Sequence, residues 1–265
     1  MGERRIRLTL QYDGAGFYGW QRQPEVRTVQ AELEAALSRL TNREIRIVGA
    51  GRTDRGVHAL GQVASALVPE RWDASELRRA LNAILPKDIW VAEAEEVDPV
   101  FHARFDAVAR SYIYYVGTAE EASSPFHRRW CWPLLEGLDE GVLDSAARAI
   151  IGEHSFRAFA RSGQEERGDR CTIYGARWER WEGLGLTFEV TANRFLHHMV
   201  RYLVGTMVDL GRGRRPADDL PALLEGAPGL LTSPPAPPEG LFLKCVHYST
   251  MDIEELEEPI DEDLS

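Results

Sequence analysis

Apolar and polar positions alternate from Arg4 to Tyr12, with Ile6, Leu8, Leu10 and Tyr12 on one face, which predicts a strand. Thr28 reads as the N-cap of a helix running to Leu40, because Val29, Leu33, Ala36, Leu37 and Leu40 recur at helical spacing behind it. Glu44 to Val48 and Gln62 to Val68 read as strands, Ser75 to Leu85 as a helix closed by Pro86, and Ile89 to Val97 as a strand. The resulting order is β-α-β-β-α-β, the split βαβ arrangement of ferredoxin-like folds.

The second half repeats that order with decoration. Ala107 to Val116 reads as a strand and Asp139 to Ile151 as a helix with an Asp cap. Cys171 to Trp181 and Leu186 to Ala192 form a hairpin pattern across Glu182-Gly183-Leu184-Gly185. Phe195 to Leu210 reads as a helix stopped by Gly211, and Leu241 to Tyr248 as a last strand. Residues 212 to 240 look like an insertion ending in a Pro-rich loop. The fold class expected is α+β: two similar ferredoxin-like halves with mainly antiparallel sheets and a central active-site cleft between them. The expected divisions are 1–105, 106–250 and a tail at 251–265.

Between two strand patterns lies Gly51-Arg52-Thr53-Asp54-Arg55-Gly56-Val57-His58-Ala59. Glycines allow a tight turn or a close backbone approach, so this loop presents the Asp54 carboxylate at the end of a sheet. An Asx-turn is the ordinary use of Asp in such a loop, but it leaves Arg52 unaccounted for. It also leaves Arg201 unaccounted for, a guanidinium amid Phe195, Leu196, Met199, Val200, Leu203 and Val204 that calls for an acid if partly buried. Pairing with Arg201 would hold Asp54 ionised. Gly14-Ala15-Gly16-Phe17-Tyr18-Gly19 matches the dinucleotide fingerprint letter for letter. A dinucleotide loop must open directly into a helix, and here the helix waits until Thr28, so the match is set aside. The segment suits base stacking or phosphate contact better.

Metal chemistry finds little support. Asp54 and His58 lack a third ligand at suitable spacing, and His197 and His198 point to different sides of the expected helix, where His197 shares a face with Arg201. Along the strand at Arg110-Ser111-Tyr112-Ile113-Tyr114-Tyr115, Tyr112 and Tyr114 face one side, open equally to core packing or to function.

Charge and composition adjust this picture. The 265 residues carry a formal net charge of −11, which argues against a nucleic-acid partner until its distribution is considered. Eight acids lie between Asp252 and Asp263 with no base among them; without them 34 acids face 31 bases, a net −3. That tail reads as a solvated, disordered extension. Cys131, Cys171 and Cys245 are scattered and form no C-x-x-C pair, so they read as reduced thiols. No apolar run suits a membrane span and no signal segment opens the chain, so a cytoplasmic protein is expected.

The glycine-punctuated loop resembles the G-R-T-D-x-G-V-H-A signature of the tRNA pseudouridine synthase A (TruA) family. Further matches run through Gly19-Trp20-Gln21-Arg22-Gln23, Phe101-His102-Ala103-Arg104, Arg110-Ser111-Tyr112, Phe156-Arg157-Ala158-Phe159, Phe195 to Arg201 and Pro238-Glu239-Gly240-Leu241. The resemblance implies an isomerase that converts uridine to pseudouridine at positions 38 to 40 of the tRNA anticodon stem-loop. It implies a homodimer with neither metal nor organic cofactor. Asp54 is then the nucleophile, Tyr112 packs on a flipped target base, and Arg201 is the ionic partner. Arg52 supports the loop or touches RNA, and Arg22, Arg104, Arg110, Arg212, Arg214 and Arg215 are candidates for phosphate contacts. Arg55 stands where the family usually has a small residue such as Ala. A non-catalytic RNA-binding protein on the same scaffold and an Asp/His metal-dependent hydrolase are the alternatives.

Overall fold

The computed structural model describes residues 2–161 and 168–251. The acidic tail from Asp252 onward lies outside the described residues. The chain divides into two compact units, residues 1–107 with 242–246, and residues 108–241 with the remainder.

The first unit holds β1 (Glu3–Tyr12), α1 (Val29–Thr41), β2 (Ile47–Gly49), β3 (His58–Pro69), α2 (Ala74–Ile84) and β4 (Ile89–Val97). The expected β-α-β-β-α-β order is present. In its sheet β4 pairs with β1, β1 with β3 and β3 with β2, all antiparallel. The β1 side chains at Ile6, Leu8 and Leu10 are fully buried, as are Leu33 and Leu37 of α1 and Leu77 and Leu81 of α2. Both helices therefore bury the stripe that their spacing predicts. Thr28 caps α1 through its side chain, and Asp73 caps α2 in the same way. Strand β3 begins at His58, four residues earlier than the alternation from Gln62 indicates, so the end of the Gly51–Ala59 loop is already sheet.

The second unit holds β5 (Ala109–Gly117), β6 (Trp132–Pro133), α3 (Glu140–Ala149), β7 (Gly152–Ser155), β8 (Arg170–Trp181), β9 (Gly185–Ala192), α4 (Met199–Gly211) and α5 (Asp219–Leu224). Strand β9 lies between β5 and β8, antiparallel to both, so β5-α3-β8-β9-α4 repeats the split arrangement. The short β7 extends the edge beyond β8, and β6 adds beside β5; neither has enough residues to show a period.

Three expectations change. Strand β10 (Leu241–His247) was assigned to the second half, yet residues 242–246 belong to the first unit. They do so because Phe242 and Leu243 pair in parallel with His58 and Ala59 of β3. The helix expected from Phe195 begins only at Met199, since His198 takes a left-handed backbone (φ 67°) that no α-helix contains. His197 and Arg201 therefore do not share one helix face. The insertion at 212–240 also carries a short helix, α5, whose Leu220 and Leu223 are buried.

Candidate active site

The Gly51–Ala59 loop is built against the segment that follows β1. Tyr12, at the end of the buried face of β1, shares a 2.7 Å hydrogen bond with the Thr53 hydroxyl. Gln62 donates its amide to the Gly51 carbonyl at 3.0 Å, and the Trp20 amide donates to the Thr53 carbonyl at 3.0 Å. Thr53 is buried, so the backbone on the N-terminal side of Asp54 is held by three separate contacts. On the C-terminal side, the Val57 amide donates to the Asp54 carbonyl at 3.1 Å, and Gly56 takes φ 80° to close that turn. The half-buried Asp54 therefore sits at the head of a braced turn.

The glycine-rich segment braces that turn. Gly14 opens a 3₁₀ turn through Gly16, capped by Asp13, and no α-helix follows until Thr28. A Cβ on Gly14 would overlap the Val57 carbonyl, so the first glycine of the false dinucleotide match is needed for close backbone approach. The Gly14 amide donates to Nδ1 of His58 at 3.0 Å. His58 is buried and its ring stacks on Phe242 at 4.6 Å. Its Nδ1 thus accepts from the Gly14 amide, with an Asp13 carboxylate oxygen 3.2 Å away.

Burial raises the Tyr12 phenol to about 12, and its hydrogen bonds to Thr53 and Gln62 pull the other way. It stays protonated at neutral pH, when its hydroxyl serves the loop as a neutral brace.

Arg27 anchors the base of the segment. It donates to both carboxylate oxygens of Asp88 (2.6 and 2.9 Å) and to Glu32 (2.6 Å), while its guanidinium lies 4.2 Å from the Phe17 ring centroid. Sequence reasoning singles out none of Tyr12, Thr53 and Arg27, and weighs His58 only as a metal ligand. The signal available was Tyr12, a hydroxyl on an otherwise aliphatic strand face.

In the second unit Tyr112 lies on β5 opposite Val190, largely buried, with its ring edge-on to Phe195 at 5.0 Å. Arg201, in the first turn of α4, donates Nε to the Ala236 carbonyl at 2.7 Å, and the Ala236 amide returns a bond to the Arg201 carbonyl at 2.9 Å. Arg201 thus clips α4 to the Pro-rich loop. Tyr114, on the same strand face as Tyr112, is buried and donates to the Pro237 carbonyl at 2.7 Å, and its phenol is held well above the ordinary range by burial.

The other arginines named from sequence fall into two groups. Arg22 pairs with the buried Glu34 at 3.2 Å. Arg212 pairs with Glu136 at 2.5 Å, Arg214 approaches Glu136 at 3.6 Å, and Arg215 pairs with Asp219 at 2.8 Å. A phosphate reaching these four would have to compete with a carboxylate already in place. Arg110 donates to the Asn193 carbonyl at 3.3 Å, and the Arg104 guanidinium lies 6.0 Å from the Phe105 ring. Arg52 is exposed, and among the described residues of its unit no acid pairs with it.

Fold and loop together define an α+β protein made of two split-βαβ units, one of which presents a single carboxylate on a braced turn. The chain belongs to the tRNA pseudouridine synthase family, whose model matches residues 9–106 and 146–249. Curated relatives are named tRNA pseudouridine synthase A. The one from Chlorobium luteolum is 42% identical over 246 residues, covering 92% of this chain and 96% of its own length. That from Chlorobium chlorochromatii is 40% identical over 92% of this chain and all of its own, and that from a Geobacillus strain 41% identical over 92% and 98%. Among solved structures, an archaeal box H/ACA sRNP Nop10-Cbf5 complex aligns with 77% of this chain and 44% of that chain at 11% identity and a TM-score of 0.34, a likeness too low to carry an argument.

Proposed function

We propose that this protein isomerises uridine to pseudouridine in tRNA, at positions 38 to 40 of the anticodon stem-loop, with Asp54 as nucleophile. The observation that carries this reading is the Asp54 turn, braced from both sides within the stretch that matches the family.

The reaction breaks the C1′–N1 bond, turns the uracil and forms a C1′–C5 bond, after which the C5 proton leaves. Nothing is oxidised or reduced, and the atoms of substrate and product are the same. An ionised carboxylate can open the sequence in two ways. It can attack C1′ to form a glycosyl ester while uracil leaves, or it can take the C2′ proton as uracil leaves C1′, giving a glycal. Either route first requires the target base to leave its stack, at a cost of a few kcal/mol. Family resemblance assigns Tyr112 to pack on that base and Arg201 to hold Asp54 ionised. It also assigns a homodimer and no cofactor, since a carboxylate and a flipped base suffice for the chemistry.

Release of tritium from [5-³H]uridine-labelled tRNA tests the reading. The intact protein is expected to release tritium at a rate unchanged by chelator when the anticodon stem-loop is prefolded. Asp54→Ala is expected to lose more than about 10³-fold in rate while retaining tRNA binding. Full release by Asp54→Ala would remove Asp54 from the chemistry, no release by the intact protein would leave only an RNA-binding scaffold, and chelator-sensitive turnover would restore the hydrolase.

A further inference from the structure

Arg55 follows the nucleophile directly and is exposed, and among the described residues of its unit no acid pairs with it. Its guanidinium lies 4.2 Å from the centroid of the Tyr18 ring. Tyr18 is itself 45% exposed, a large aromatic left at the surface. It is not loosely held. Its amide donates to the Arg27 carbonyl at 2.9 Å, its carbonyl accepts the Gln23 side-chain amide at 3.0 Å, and two residues on Trp20 is tied to Thr53. The backbone that carries the ring is therefore tied to the Asp54 turn.

Stacking on an aromatic ring occupies one face of a guanidinium and leaves its N–H edges free. Those edges are the part that forms bidentate bonds to a phosphate. A surface arginine ordinarily loses side-chain freedom on binding, and a ring that already holds it in place lowers that cost. Arg22, Arg212, Arg214 and Arg215 lack this availability because each faces a carboxylate.

We propose that Arg55, held by Tyr18, is a backbone-phosphate site for the RNA substrate at the lip of the catalytic loop. The proposal rests on tRNA being the substrate. It gives a role to the one residue of the loop that departs from the family's usual pattern, and it places a positive charge next to the nucleophile, where the strand carrying the target nucleotide must pass.

The test uses the full chain and an unmodified tRNA transcript, with filter retention measured across a salt series and tritium release measured in parallel. Arg55→Ala is expected to weaken retention roughly tenfold at low salt. It is also expected to reduce the slope of log affinity against log salt by about one, with the catalytic loss falling on KM rather than kcat. Tyr18→Ala is expected to weaken retention roughly threefold, and the double variant to bind no worse than Arg55→Ala alone. Arg55→Lys is expected to keep most of the salt slope without the full affinity. An unchanged slope in Arg55→Ala, or additive losses in the double variant, overturns the proposal. Tritium release by both the intact protein and Arg55→Ala with the same KM and the same salt slope removes this site and leaves the isomerase standing. A protein that shows these binding effects but releases no tritium keeps the site and loses the isomerase.

Discussion

The Tyr12 hydroxyl shows how much of the site depends on one atom. Its bond to Thr53 is buried, so Tyr12→Phe leaves the Thr53 hydroxyl short of that partner, at a cost of about 1 kcal/mol in stability. Because Thr53 adjoins Asp54, kcat is expected to fall several-fold with KM for tRNA nearly unmoved, which steady-state tritium release would check. The same phenol makes a prediction about alkaline pH. Its pKa is raised from the ordinary value of 10 to about 12 by burial, so the unfolded chain gives up this proton first. The associated stability is complete below about pH 10 and is lost as pH rises toward 12; Tyr114 acts in the same direction. Urea midpoints of Tyr12→Phe should therefore decline less steeply over that range than those of the intact protein. At this scale Asp54 stands out in the sequence as a candidate, because glycines and charges crowd around it in nine positions. The Arg55–Tyr18 contact could not, because 36 residues separate its members and only the fold brings them together.

Elements were easiest to read where one period ran unbroken. Strand β4 (Ile89–Val97) and the Thr28 cap of α1 emerge as expected, since alternation and capping chemistry are local. The start of α4 does not. Apolar residues at Phe195, Leu196, Met199 and Val200 keep helical spacing straight through His198, while the backbone at His198 turns left-handed. Hydrophobic spacing records which side chains are buried and says little about a single φ angle. Between elements, Gly14 approaches Val57 of the Asp54 loop closely. Gly14→Ala would drive a methyl into the Val57 carbonyl, and about 2 kcal/mol or more of destabilisation is expected. A lowered urea midpoint together with loss of tritium release would bear this out; unchanged values for both would show that the two segments can separate at no cost.

For the whole molecule, charge matters more than shape. The formal net charge is −11, and a chain ending at Met251 would carry −3. Removing eight acids reduces long-range repulsion of a polyanionic substrate. The shortened chain is expected to associate with tRNA several-fold faster at low ionic strength, and the difference should fade as the Debye length shrinks to about 3 Å near 1 M salt. Stopped-flow association across a salt series would measure it, and equal rates at low salt would assign the tail no electrostatic part.

The parallel pairing of Phe242 and Leu243 with His58 and Ala59 bears on biosynthesis. A ribosome delivers the Asp54 loop well before β10, the strand that covers the loop's own end of β3. Until then, that edge of β3 has open amides and carbonyls, and the His58 ring lacks Phe242. A nascent chain therefore holds the Asp54 loop without this support. A chain terminated before Phe242 would lack the strand that pairs with His58 and Ala59 at the end of this loop.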